Sequence, residues 1–199
     1  MDGLKRSICK RAGQLGIETC LEFKAGLLVP EQRIRDFCVE NKCGNYCNHF
    51  MCPPRVGSLE EIETRLEPFQ RGILLQYSKL LDVRNDNEGL KQTKVDFHCK
   101  ILRLEELLRS EGINNLWGMI GGTCELCEVC GARLDEPCPY PDKARTSMES
   151  IAIDVLGFLD KFGLDNKFCP DRITWTGCIL FCDNSQSFRF LIDSHFDIK

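Results

Sequence analysis

Apolar residues recur along the chain at two periods, and the places where one gives way to the other mark out the elements. Leu4, Ile8, Ala12 and Leu15 share one stripe at helical spacing, so the pattern predicts a first helix over residues 4–15. Residues 17–29 (IETCLEFKAGLLV) suit a short extended element. Pro30 then fits a first helical position, where its missing amide costs no bond, and EQRIRDFCV carries that helix to Cys38. From Asn41 to Val56 neither period holds, and the segment reads as an irregular, cysteine-rich loop. Ser58 and Glu61 have the spacing of a capping box ahead of a short helix to about Leu66.

Downstream, Gly72 to Tyr77 is a bounded apolar run suited to a buried strand. Leu90, Phe97, Ile101, Leu104 and Leu108 line one face of a long amphipathic helix over 89–110, which leaves Glu105 and Glu106 on the other side. Residues 117–120 read as a strand that delivers the chain into GGTC. Thr146 and Glu149 suggest a second capping box, with Met148, Ile151, Ala152, Val155 and Leu159 as the apolar face of a helix ending near Gly163. Residues 173–181 close the pattern as another strand. The expected fold is α+β, or α/β: a mixed sheet of about four strands flanked by helices, with two cysteine-rich loops, in a single domain spanning 1–199.

Composition narrows the setting. A net charge of -4 gives no basic footprint for nucleic acid, and no apolar run approaches the ~20 residues needed to cross a bilayer. The N-terminal segment has basic residues but lacks the apolar stretch of a signal peptide, so a cytoplasmic location is expected. Fourteen cysteines are too many to leave unexplained, yet a chain of this length without a leader does not read as a secreted disulfide scaffold. Spacing decides what they are for.

Cys124, Cys127, Cys130 and Cys138 follow the pattern Cys-x2-Cys-x2-Cys-x7-Cys-Pro. Four thiolates in one small volume repel each other unless a cation neutralises them, so a metal is expected. Successive x2 spacing is that of a [4Fe-4S] cubane, although the gap before the last cysteine is longer than the ferredoxin three. Zinc held by four cysteines is the alternative. Gly121 and Gly122 either bring backbone amides close to the cofactor sulfurs or simply make a tight turn after a strand.

Cys38, Cys43, Cys47 and Cys52 form a second set at spacing x4, x3, x4. Pro53 after Cys52 stiffens the loop as Pro139 does after Cys138. Cys38 suits a small apolar helix position equally well, and His49 reads as a surface loop residue. Cys9, Cys20, Cys99, Cys169, Cys178 and Cys182 lack ligand spacing and are expected as core residues. Glu149 has a role as capping acid, Asp154 as a solvated neighbour of the apolar stripe, and Arg145 as a surface arginine or one facing a cluster or anion.

Cys43-x2-Tyr46-x5-Cys52-Pro-Pro54, GGTCELCEVC, Cys138-x2-Pro141, Ser147-Met-Glu149 and Ile153-Asp-Val155 together resemble the predicted metal-binding proteins grouped as domain of unknown function 2284. The resemblance spans about 30–182 and implies a cysteine-rich iron-sulfur protein of anaerobic bacteria and archaea with no settled activity. It implies metal sites at Cys124, Cys127, Cys130 and Cys138, and at Cys38, Cys43 and Cys52; Cys47 stands where the family usually has a small residue. The resulting expectation is one or two [4Fe-4S] clusters serving electron transfer or an accessory redox role, with a redox partner protein. An iron-sulfur enzyme with an open iron and a small-molecule substrate, or a zinc-stabilised non-redox module, are the alternatives. Serine-triad, phosphate-loop and dinucleotide patterns do not occur, and no histidines fall at helical metal spacing.

Overall fold

A computed structural model describes residues 2–182. Helix α1 (Asp2–Gln14) leads into β1 (Thr19–Lys24) and a 3-10 turn at Ala25–Leu27, and then α2 (Gln32–Val39). Helix α3 (Leu59–Leu66), β2 (Arg71–Leu80), α4 (Asn87–Ser110), β3 (Leu116–Met119), α5 (Val155–Asp160) and β4 (Arg172–Phe181) follow. The fold is α+β. Its strands pair in the order β1-β2-β4-β3, and every pair is antiparallel, where a mixed sheet was expected. The reason lies in one insertion. Strands β2 and β3 run the same way and are joined by α4, but β4 lies between them, giving a split β-α-β unit.

Both faces of the sheet are covered, which explains why β2 reads as a continuous apolar run rather than an alternating one. Ile73, Leu75, Tyr77, Ile179 and Phe181 face α1 and α4, meeting Leu4, Ile8, Ala12, Phe97, Ile101, Leu104 and Leu108. Leu74, Cys178 and Leu180 face the opposite layer, built from Ile62 and Leu66 of α3 and Val155, Phe158 and Leu159 of α5. Three layers result, with the cysteine-rich segments emerging at one end.

Several local expectations need correction. Pro30 precedes the cap of α2 rather than opening its first turn, because the Glu31 amide donates to the Ala152 carbonyl at 2.8 Å and holds Glu31 extended. The Ser58–Glu61 box forms as expected, but the one at Thr146–Glu149 does not. There the Thr146 and Ser147 hydroxyls bond to Ser150 instead, only a 3-10 turn forms at Glu149–Ile151, and Ala152 adopts a left-handed φ of 68° that ends it. Helix α5 begins afresh on Asp154, whose carboxylate accepts from the Gly157 amide at 3.0 Å and pairs with Arg33. Tertiary bonds have overridden the local motif. Nor are Cys9 and Cys20 free core residues: they form a disulfide joining α1 to β1. Cys99 is exposed, Cys169 and Cys182 are half-buried, and Cys178 alone of these is fully in the core.

Glu105 is the largest departure from the sequence reading. It lies on the core side of α4 and is 1% exposed, while Glu106 faces solvent. Arg145 grips both its oxygens, at 2.9 and 2.7 Å, and Arg109 adds a third bond at 2.9 Å. Arg145 is therefore neither a surface residue nor a ligand for an anionic substrate. Its Nη1 also donates to the carbonyls of Asp142 and Ala144, which clamps the end of the second cysteine loop against α4. Burial pushes the Glu105 carboxyl up most strongly, but the two guanidiniums together hold it below its ordinary value. That stabilisation is present above the ordinary carboxyl pKa of 4.5 and is lost as pH falls below it. Arg145→Met is expected to cost about 3–5 kcal/mol in urea denaturation at pH 7, with the gap to wild type narrowing below pH 4.5.

Candidate metal centre

The second cysteine segment is a closed excursion. The chain leaves the sheet at Ile120 and returns at Ser147, and a parallel bridge joins the two, with the Ile120 amide donating to the Thr146 carbonyl at 2.9 Å. Everything between, including Cys124, Cys127, Cys130 and Cys138, projects as one loop. Gly121 lets that loop start against β4, since a side-chain carbon there would sit 3.1 Å from the Thr176 amide. Gly122 turns at a left-handed φ of 70°. Packing and turn geometry thus account for the glycine pair. The backbone amides that reach the Cys124 sulfur are those of Leu126 and Arg145.

The first segment folds against the second. Asn41 Oδ1 accepts from the Tyr46 amide at 2.9 Å, and Cys47 donates its amide to the Pro53 carbonyl at 2.9 Å. Asn45 Nδ2 reaches Thr123 Oγ1 at 3.2 Å, and Arg133 Nη2 reaches the Gly44 carbonyl and Asn45 Oδ1 at 2.9 and 3.1 Å. His49 completes the seam. Its Nδ1 accepts from the Met51 amide at 3.0 Å, so Nε2 carries the proton and donates to the Cys124 carbonyl at 3.0 Å. At 6% exposure it is a buried tether between the loops, not the surface residue expected.

A cavity of about 330 Å³ opens between the loops, lined by Cys124, Cys127, Cys130 and Cys138 from one side and by Cys43 from the other. At ~30 Å³ per water this is room for about ten waters, well beyond one ion. Among the described residues no three His, Cys, Asp or Glu side chains close on a point where a single ion would bind them. The thiols nevertheless act on one another. Burial, then Cys127 and Cys138, push the Cys124 thiol up against the pull of its two amide donors. Burial, then Cys138 and Cys130, raise Cys127.

Cys52 ties this set to the other. Only 8% exposed, it is pushed up to about 12 by burial and then by Cys43, Cys38, Cys130 and Cys124. Cys38, raised by burial and by Cys43, lies 4.0 Å from the Glu149 carbonyl, at the turn on which α2 packs. Cys38, Cys43 and Cys52 therefore act on one another, and Cys52 also feels Cys124 and Cys130 of the other loop. Cys47 is exposed, has a left-handed φ of 63°, and does not figure among the groups acting on the other cysteines. Half-buried thiols around a common cavity have the donor chemistry of a metal-thiolate centre.

The chain belongs to the family described as predicted metal-binding proteins, domain of unknown function 2284, whose model matches residues 22–181. The match covers both cysteine-rich loops and excludes α1, Cys9 and Cys20. No curated protein and no solved structure matches the chain. Among the described residues no helix is long and apolar enough to cross a membrane.

Four contributors to the site were not identified from sequence: Asn45, His49, Gly131 and Arg133. Gly131 follows Cys130 at a point where a side-chain carbon would lie 2.7 Å from the Glu136 carbonyl, so it brings Cys130 and Cys138 together. The adjacency CGAR was the available signal, because a glycine directly after a ligand marks a close turn. Burial depresses His49 and His98 below the ordinary 6.5, so both are neutral at pH 7. Their stabilisation is full above 6.5 and is lost as pH falls through that value toward the folded one. Thermal unfolding between pH 7.5 and 5.5 is expected to show a declining midpoint in wild type and a shallower decline in His49→Gln, whose amide keeps both bonds without a titrating proton.

Proposed function

We propose that the protein binds iron-sulfur clusters: a [4Fe-4S] cluster on Cys124, Cys127, Cys130 and Cys138, and a second centre on Cys38, Cys43 and Cys52. The observation that carries this reading is the four-cysteine cavity of about 330 Å³. Zinc bonds sulfur at ~2.3 Å and draws four thiolates to within ~4 Å of each other, whereas a cubane holds them apart around a larger body. The open arrangement suits the cubane. The amides of Leu126 and Arg145 on the Cys124 sulfur supply the hydrogen bonds that help set a cluster's potential.

When bound, such clusters supply one-electron chemistry, and the chain's part is to hold, desolvate and wire them. Cys52 feels cysteines of both sets, which supports two centres near enough for electrons to pass between them. Phe37 and Val39 flank Cys38, and Val129 precedes Cys130; all three are exposed and offer an apolar contact for a redox partner near the ligands. The reading is electron transfer or an accessory redox role in anaerobic metabolism. A second reading is that Cys124, Cys127 and Cys130 alone hold the cubane, which leaves one iron position free for a small-molecule substrate and would make the protein an enzyme.

Anaerobically purified Cys127→Ala is expected to lose iron and acid-labile sulfide together, with bleaching of the visible band near ~400 nm. Cys99→Ala, changed at an exposed thiol, is expected to keep wild-type content. Unchanged iron in Cys127→Ala would remove Cys127 from the ligand set. Stoichiometric zinc in a colourless wild-type sample would replace this reading with the zinc-stabilised one.

A further inference from the structure

Among the described residues Arg35 is the buried cation near the cysteines whose role the fold leaves unexplained. It sits on α2 one turn before Cys38, so the two side chains share the helix face that packs on the Glu149–Ile151 turn. It is 8% exposed, and its Nη2 is buried without a hydrogen-bond partner. Glu149, on the turn below, is not among the groups whose charges act on Arg35, and the acids beside it on α2 and at the start of α5 are taken. Asp36 accepts from Gln32 at 2.7 Å, while Glu31 and Asp154 both bind Arg33 at 2.6 Å. Among the described residues Arg35 has no ion pair, and the groups whose charges act on it are Cys38 and Tyr46.

A guanidinium held dry without an anion is unfavourable, and native structures seldom tolerate one unless something negative arrives beside it. The second centre is that anion. A metal binds cysteines as thiolates, and a cluster ligated by Cys38, Cys43 and Cys52 carries net negative charge with sulfur acceptors at its surface.

We propose that Arg35 is the counter-charge of the Cys38–Cys43–Cys52 centre, a positioning residue whose unpartnered Nη2 donates to that centre when metal is bound and retains it there. This rests on the reading that these three cysteines hold a metal. It also accounts for an arginine rather than a leucine at a buried position of a short helix: its cost falls on the empty protein, its benefit on the loaded one.

The sign of the effect should therefore reverse with loading. In protein stripped by a chelator, Arg35→Met removes an uncompensated buried charge while keeping an apolar side chain, and is expected to unfold at higher urea than wild type. In anaerobic protein reconstituted with ferrous iron and sulfide, the same variant is expected to surrender the iron of this centre to a chelator at least tenfold faster. Arg35→Lys, which keeps the charge, should fall between. Loss of the cation also favours the oxidised cluster, so the midpoint potential of one centre should move down by about 59 mV for a tenfold change in the one-electron equilibrium. An arginine serving only to pack would destabilise both states on removal and leave the potential in place, and that result overturns the assignment. Cys43→Ser provides the separate control. If it keeps the full iron content, no metal sits on this set and the underlying reading fails; if it loses iron while Arg35→Met releases at the wild-type rate, the Arg35 assignment alone fails.

Discussion

Sulfur anions repel one another and pay heavily for leaving water, and the end of the molecule that carries them is organised around that conflict. Burial and mutual repulsion drive Cys52 up to about 12 and raise Cys38, Cys124 and Cys127, so these four sulfurs favour the neutral thiol over the thiolate. A metal reverses this by supplying the missing positive charge. Binding must then release protons, and affinity must rise with pH, because the thiol form and the bound form compete for the same sulfur lone pairs. The cores on the two faces of the sheet draw little on these loop cysteines: Cys178 packs against Met119, Cys20 is held in its disulfide with Cys9, and of the two cysteine-rich loops Cys124 alone packs against a core cluster of the described residues.

What the fold contributes is a frame that brings two distant segments to one place. Strand β3 and Thr146 close the base of one loop, while α2 and α3 deliver the ends of the other. Between them runs a seam of polar bonds through Asn45, His49 and Arg133, whose partners are the Thr123 hydroxyl, the Cys124 and Gly44 carbonyls and the Asn45 side chain. Such bonds are worth about 1 kcal/mol each, and loss of the His49 pair would leave a buried group unsatisfied at greater cost. The Glu105–Arg145 pair anchors the same assembly to α4 from behind. Lys94 adds another tie by pairing with Glu125 at 3.0 Å, within the cysteine loop itself.

The regular elements were largely legible from sequence, because their signals are local and repeated. The 24-residue helix α4, the helix behind the Ser58–Glu61 box and the strands around 72–77 and 173–181 each declared themselves by period or cap. The failures share one cause. Thr146 and Glu149 carry the right side chains for a cap, but Ile120, Met51 and Ser150 claim Thr146 first. Glu105 occupies a polar position of an otherwise ordinary amphipathic pattern, and its burial depends on an arginine forty residues away as well as on Arg109 one turn along the helix. The disulfide between Cys9 and Cys20 likewise depends on how α1 lies on the sheet. The candidate site was legible as two cysteine groups; that Cys52 feels thiols of both, and that His49 stitches the loops, depends on contacts about seventy-five residues apart that no spacing encodes.

The account stands on polynuclear iron lying between the thiolates of these two loops. X-ray absorption at the metal edge, on protein purified without air, tests that without recourse to variants. The account predicts an iron edge with a sulfur shell and a second shell of iron neighbours at short distance. A zinc edge with a single sulfur shell near ~2.3 Å and no metal neighbour would contradict it.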